Sequence, residues 1–213
     1  MSPMGKLTRY LEKYIMKKIL HVISSARGDH SYSKGLSAAI VRKLTAKNIA
    51  GEITERDLIR DFPPFIEPAS VENLYKNPDA LTPEEEQLFS YSHMIVDEIR
   101  AADILVIGTP MHNFGISAPL KAWLDQIVRH GISYVYDNNG KRVGLFGGKQ
   151  VYLAIASGGR QTSNPGSEFI ESYLKAVFSA YMGITDVTAF RIEGTVEPGF
   201  KENYEEALKE LRV

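Results

Sequence analysis

KKILHVISSARGDHSYSKGLSAAIVRKL (17–44) carries three patterns in succession. Its opening is a nearly unbroken apolar run, as expected of a strand covered on both faces. Leu36, Ile40, Val41 and Leu44 then recur on one face at helical spacing. Between the two lies a serine-rich turn with Ser24, Ser25, Ser31 and Ser33. A strand running through such a loop into a helix predicts the first half of a β-α-β unit, and the rest of the chain repeats the theme. ADILVIG (102–108), QVYLAIA (150–156) and DVTAFRI (186–192) read as further buried strands, and EITER (52–56) as a more polar one. Leu120, Trp123, Leu124, Ile127 and Val128 mark a helix after the third strand. Thr82, Pro83 and the acids Glu84, Glu85 and Glu86 supply a cap, a first-turn proline and charges suited to a helix N-terminus, and the pattern predicts one helix from there to about residue 101. Two more helices are expected near 165–182 and 201–211. Five strands alternating with five helices make an α/β fold, a doubly wound parallel sheet with helices on both faces.

Two stretches interrupt the alternation. Residues 61–81 hold four of the ten prolines and little periodicity, which predicts an irregular excursion. SYVYDNNGKRVGLFGG (133–148) predicts a small hairpin, with Tyr134 and Tyr136 alternating outward from a turn-rich DNNGK. Residues 1–16 read as an N-terminal extension, either an upstream segment before an alternative start at Met16 or a short helix packed on the surface, and 17–213 as a single domain.

With 213 residues the chain can bury a full core without a metal or covalent staple, and it has no cysteine, which excludes a disulfide framework, a thiolate nucleophile and a CxxC redox pair. Any redox chemistry therefore needs a bound cofactor. Lys and Arg number 25 against 26 Asp and Glu, so no global field draws nucleic acid or an acidic membrane, and neither partner is expected. No run approaches the ~20 apolar residues of a membrane span, and the first fifteen residues lack a signal-peptide core, so the reading is a cytoplasmic protein. The histidines at 21, 30, 93, 112 and 130 show no metal-ligand spacing, and no metal is expected.

In open α/β sheets ligands bind beyond the carboxyl ends of the strands. After strand one, serine hydroxyls and free N–H groups at a helix N-terminus suit a phosphate monoester, or serve as simple capping. There is no GxGxxG, and GlyGlyLys at 147–149 lacks the upstream glycine of a P-loop. After strand three, GTPMHNFGIS turns at Thr109 and Pro110, and Met111 and Phe114 are odd choices for a solvated turn but suit a flat heteroaromatic ring. After strand four, SGGR offers close backbone approach at Gly158 and Gly159, with Arg160 able to face developing negative charge. One phosphate and one planar ring fit the three loops together. Arg56, Asp57 and Arg60 after strand two read as a solvated loop in preference to a contact for the nicotinamide cofactor.

SSARGDHSYS, GTPMHNFGIS and IASGGR, with ITERDL, LTPEEE and MGITDV, resemble the FMN-dependent NADH-azoreductase and NADH:quinone oxidoreductase family over nearly the whole chain from residue 17. The resemblance implies a flavodoxin-like fold with strand order 2-1-3-4-5 and a homodimer with its site at the interface. It implies that Ser25, Ser31, Tyr32 and Ser33 hold the FMN phosphate, that Pro110, Met111, His112, Asn113 and Phe114 run along the isoalloxazine, and that Ser157, Gly158, Gly159 and Arg160 close its pyrimidine side. Two departures stand out: SGGR where the family more often has SRGG, and His112 where tyrosine is common. The implied activity is a hydride relay from NADH or NADPH through FMN to quinones or azo compounds, with no obligate catalytic side chain. Two alternatives are a flavodoxin-type electron carrier, disfavoured by the balanced charge, and a serine phosphodiesterase using Ser24 or Ser25 with His112 or His30, disfavoured by the missing GxSxG elbow.

Overall fold

A computed structural model describes residues 16–47, 49–163, 166 and 168–213. The expected N-terminal extension lies, but for Met16, outside the described residues. Among the described residues seven strands and seven α-helices follow in chain order: β1 (Lys17–Ile23), α1 (Tyr32–Ala46), β2 (Ala50–Asp57), α2 (Pro68–Val71), α3 (Pro83–Gln87), α4 (Ser90–Ala101), β3 (Ile104–Pro110), α5 (Ala118–Ile127), β4 (Tyr134–Tyr136), β5 (Arg142–Gly144), β6 (Gln150–Ala156), α6 (Ile170–Val177), β7 (Asp186–Ile192) and α7 (Phe200–Glu210). Five strands form one parallel sheet in the order β2-β1-β3-β6-β7, which is the expected 2-1-3-4-5 once the hairpin strands β4 and β5 are set aside.

The three central strands owe their apolar runs to cover on both faces. On one face Leu20, Val22, Leu105, Ile107, Leu153 and Ile155 meet α4, α5 and α6. On the other Ile19, Ile104, Val106 and Ala154 meet α1 and α7. Alternate residues of one strand thus enter different cores, and each core buries full side chains worth ~1.5–3 kcal/mol apiece. The edge strand β2 is largely exposed, which explains its polar composition.

The segment 61–81 is irregular as expected, broken only by the single turn α2 and a 3-10 turn at Pro78–Ala80. The hairpin also forms: β4 and β5 pair antiparallel, and Asp137 Oδ1 accepts from the amides of Asn139 and Lys141, both at 2.9 Å. Its aromatics differ from the expectation that both face outward. Tyr136 is exposed, but Tyr134 is buried against His130 and Tyr181. The hairpin docks on a π-helical turn, Phe178–Met182, that extends α6, and Gly183 ends that turn in the left-handed conformation at φ 72°. A Cβ there would stand 2.9 Å from Gly144 O, so both conformation and space call for glycine. The long helix expected from 82 to 101 is two helices, because the chain leaves helical geometry at Phe89 (φ −107°, ψ 13°) and restarts at Ser90.

Candidate functional site

The carboxyl ends of β1, β3 and β6 are adjacent in the sheet, so the three loops that follow them meet at one edge. The first is tied to its neighbour through Ser24, whose amide and hydroxyl both donate to Gly108 O, at 3.1 and 3.0 Å. Ser24 is therefore spent on structure, and Ser25 is the serine left to the loop. Ser31 caps α1, its hydroxyl accepting from Lys34 N at 3.2 Å and lying 3.2 Å from Ser33 Oγ. The amides of Tyr32 and Ser33, in the first turn, find no acceptor among the described residues. Ser25, Ser31 and Ser33 are buried, and Tyr32 is half-buried. Gly108 brings α1 this close to β3: a Cβ on it would lie 2.7 Å from Ser37 Oγ and 2.9 Å from Ser33 O.

The second loop departs from β3 at Pro110. Met111 N donates to Ala156 O at 2.8 Å, which stitches this loop to the third, and His112 and Gly115 exchange two backbone bonds of 3.0 Å across a tight turn. The turn is made by Asn113 and Phe114 at φ 48° and 67°, two consecutive non-glycine residues in the left-handed region. Phe114 is 45% exposed, an apolar ring held outward on a strained turn. In the third loop Ser157 Oγ donates to Gly159 O at 2.7 Å, and the chain after β7 braces the turn, with Thr195 N donating to Ser157 O at 3.1 Å. No hydrogen bond is made by the amides of Gly158 and Gly159 among the described residues.

The second and third loops open on a cavity of about 170 Å³ lined by Met111, Phe114, Ser157, Gly159 and Arg160 from the expected set. Ser31 and Tyr32 instead border a wider groove between α1 and α7, of about 540 Å³, while Ser25, Ser33, Pro110, His112, Asn113 and Gly158 line neither. The guanidinium of Arg160 does not stand free. It grips Glu197 through Nε at 2.8 Å and a terminal nitrogen at 2.7 Å, and that contact holds the Glu197 carboxyl below the usual carboxylate range.

Sequence reading missed Gln161, Glu168, Arg191 and Glu193, which with Ile155 of β6 complete the cavity wall. Of these, Arg191 left a signal: it is the one cation inside the apolar run DVTAFRI, near the carboxyl end where ligands bind. Arg56, read as part of a solvated loop, instead lies within β2, one residue before its end, and is largely buried in an ion pair with Glu98 and a 3.3 Å contact to Asp61. Among the described residues no hydrogen bond joins Ser24 or Ser25 to His30 or His112, so the arrangement that ester cleavage would use is not assembled.

A family described as having a flavodoxin-like fold matches residues 17–213. The FMN-dependent NADH:quinone oxidoreductase 1 of Burkholderia lata is 39% identical over 183 residues, 85% of this chain and 88% of that protein. The FMN-dependent NADH:quinone oxidoreductase of Herminiimonas arsenicoxydans is 36% identical over 181 residues, 84% and 88% of the two chains. Among solved structures, an FMN-dependent NADH-azoreductase from Bacillus anthracis in complex with FMN superposes with a TM-score of 0.76 at 28% identity, covering 91% of this chain and 95% of that one. The family match over residues 17–213, the curated relatives aligned along most of the sequence and the superposition agree: the chain belongs to the flavodoxin-like family of FMN-dependent NADH:quinone oxidoreductases and NADH-azoreductases.

Proposed function

We propose that the chain is an FMN-dependent oxidoreductase that moves two electrons from NADH or NADPH to quinones or azo compounds. The convergence of three loops at adjacent strand ends carries this reading, with unpaired donors on one side and an open, partly apolar cavity on the other. The residues fit the group. Free amides of Tyr32 and Ser33 and the buried hydroxyls of Ser25, Ser31 and Ser33 match the oxygens of a phosphate monoester at the positive end of a helix. Gly159, whose Cβ would meet nothing within 4 Å, leaves room for a ring edge. When bound, FMN supplies an isoalloxazine able to accept and release a hydride equivalent.

The chain supplies binding, orientation and electrostatics. Pro110, Met111, His112, Asn113 and Phe114 form one wall, in which Met111 and Phe114 exclude water and the strained turn fixes their placement. Ser157, Gly158, Gly159 and Arg160 form the other. With Arg160 engaged by Glu197, the free amides of Gly158 and Gly159 are the groups left to offset negative charge on the pyrimidine side. No side chain has to act as an obligate acid or base.

A homodimer with the site at its interface belongs to the same proposal, supported by the apolar side chains of Phe62, Phe65, Tyr75, Tyr136 and Leu145 that stand exposed on the 61–81 excursion and around the hairpin. So does a cytoplasmic location, where nicotinamide cofactors are kept; no described helix is long and apolar enough to cross a membrane. Titration of the purified protein with FMN tests the central point. Bound flavin should appear in the visible spectrum and bleach anaerobically on addition of NADH or NADPH, before any acceptor is present. A protein that takes up no FMN overturns the reading, and sedimentation analysis decides the dimer.

A further inference from the structure

Beyond the three loops, a cluster of paired charges lies where α6 begins. Glu168 is 8% exposed in its side chain, and its two oxygens serve different elements. Oε1 accepts from the amides of Ile170 at 2.5 Å and Glu171 at 3.1 Å, capping α6. Oε2 accepts from Arg191 at 2.9 Å and from the Gln161 side chain at 3.4 Å. Arg191, near the carboxyl end of β7, also reaches Glu171 at 2.7 Å. One carboxylate thus joins the end of β7, the turn that follows the third loop and the first turn of α6.

The cap acts on the site through the residue beside it. Phe169, between Glu168 and the first residue of α6, donates its amide to Phe114 O at 3.0 Å. Phe114 is the second of the two left-handed residues on the turn after β3. Such a turn persists only where its surroundings hold it, and the Phe169 amide is a contact from outside the turn that does so. Glu168, Arg191, Met111 and Phe114 all line the same cavity, so the brace and the wall it steadies are parts of one enclosure.

We propose that Glu168 is a positioning residue: by capping α6 it aims the Phe169 amide at Phe114 O and so fixes the wall formed by Met111, His112, Asn113 and Phe114, with Arg191 as its counterion. Its consequence for cofactor binding rests on the flavin reading above; its consequence for the turn does not.

The test compares Glu168→Ala and Glu168→Gln with wild type. In apo protein, Glu168→Ala should speed hydrogen exchange at the His112, Gly115 and Phe169 amides about tenfold while Val22 and Ile107 in the sheet centre keep their protection, since one charge-assisted cap is lost locally. FMN affinity should fall about tenfold by fluorescence titration, with a changed visible circular dichroism of the bound flavin. Glu168→Gln keeps an oxygen for the cap and should stay within about threefold of wild type on each measure. Unchanged exchange in Glu168→Ala overturns the proposal; so does equal acceleration in the sheet centre, or a Gln variant as impaired as the Ala variant. Should wild type itself fail to bind FMN, the flavin reading falls, and the exchange arm still decides the brace.

Discussion

At the scale of single residues, His21 shows how a suggestive constellation is settled by burial. Its Nε2 lies 2.8 Å from Ser37 Oγ and its Nδ1 3.7 Å from a Glu55 oxygen, an order of groups that resembles a nucleophile relay. Ser37 is fully buried and donates its hydroxyl to Lys34 O at 2.9 Å, so no substrate reaches it. Burial is also the first cause that pushes the His21 pKa down from 6.5 to about 4, with Lys34 adding to it. Between those values the unfolded chain binds a proton that the folded chain refuses, so this contribution to stability is complete above pH 6.5 and shrinks as pH falls toward 4. The window corresponds to at most about 3 kcal/mol. Urea unfolding of wild type and His21→Asn should show a free-energy gap that narrows from pH 7 to pH 4; a gap constant with pH would assign the effect elsewhere.

Gly108 makes the opposite point, a residue whose importance no sequence pattern announces. It reads as the end of an apolar strand, and only the packing of α1 against β3 shows that a methyl group would meet the Ser33 backbone at 2.9 Å. Gly108→Ala should cost about 1–3 kcal/mol by overpacking and, by pushing back the start of α1, weaken FMN binding more than a comparable loss of stability elsewhere. The Asn113–Phe114 turn was legible only in part. Met111 and Phe114 stood out as poor choices for a solvated loop, but their backbone strain, of order 1–3 kcal/mol each for Asn113 and Phe114, comes from tertiary contacts such as the one to Phe169.

At the scale of elements, the strands followed from their apolar runs, because cover on both faces leaves little freedom in composition. The break at Phe89 did not. Thr82 to Glu86 carries every helix-start signal, and Thr82 and Glu85 complete a reciprocal capping box. Yet α3 has no buried residue, so nothing obliges its axis to continue into α4. Leaving helical geometry lets Phe89 enter the core beneath Arg129, whose guanidinium carbon stands 3.6 Å from the ring centroid. That arginine is itself buried, with its pKa lowered to about 10 by desolvation, and donates to Ser92 Oγ at 3.0 Å. A short helix without a buried face depends on its cap, so Thr82→Ala should lower unfolding stability by about 1 kcal/mol in urea denaturation, with FMN affinity unaltered. A loss of several kcal/mol would mean that α3 carries packing that its exposure denies.

At the scale of the whole molecule, the alternation of strands and helices identified a parallel sheet, but the residues alone did not order its strands; the order came from resemblance to a family and agrees with the pairing seen. The order matters because it places side by side three loops far apart in the chain, beginning at 24, 111 and 157. A ligand touching all three bridges segments that separate fully on unfolding, so its binding energy appears as global stability. At a free FMN concentration 100 times its dissociation constant, linkage gives about 2.7 kcal/mol, and for a domain near 200 residues each kcal/mol moves the melting temperature by about 2–4 °C. Calorimetry should therefore show the midpoint rising by about 5–10 °C at that concentration and climbing further with the logarithm of added FMN. Riboflavin, which lacks the phosphate, should give a much smaller rise, since Ser25, Ser31, Ser33 and the free amides of α1 would then face no anion. Equal shifts from the two flavins would remove the phosphate from the serine loop, and no shift from either would remove the flavin from the three-loop edge altogether.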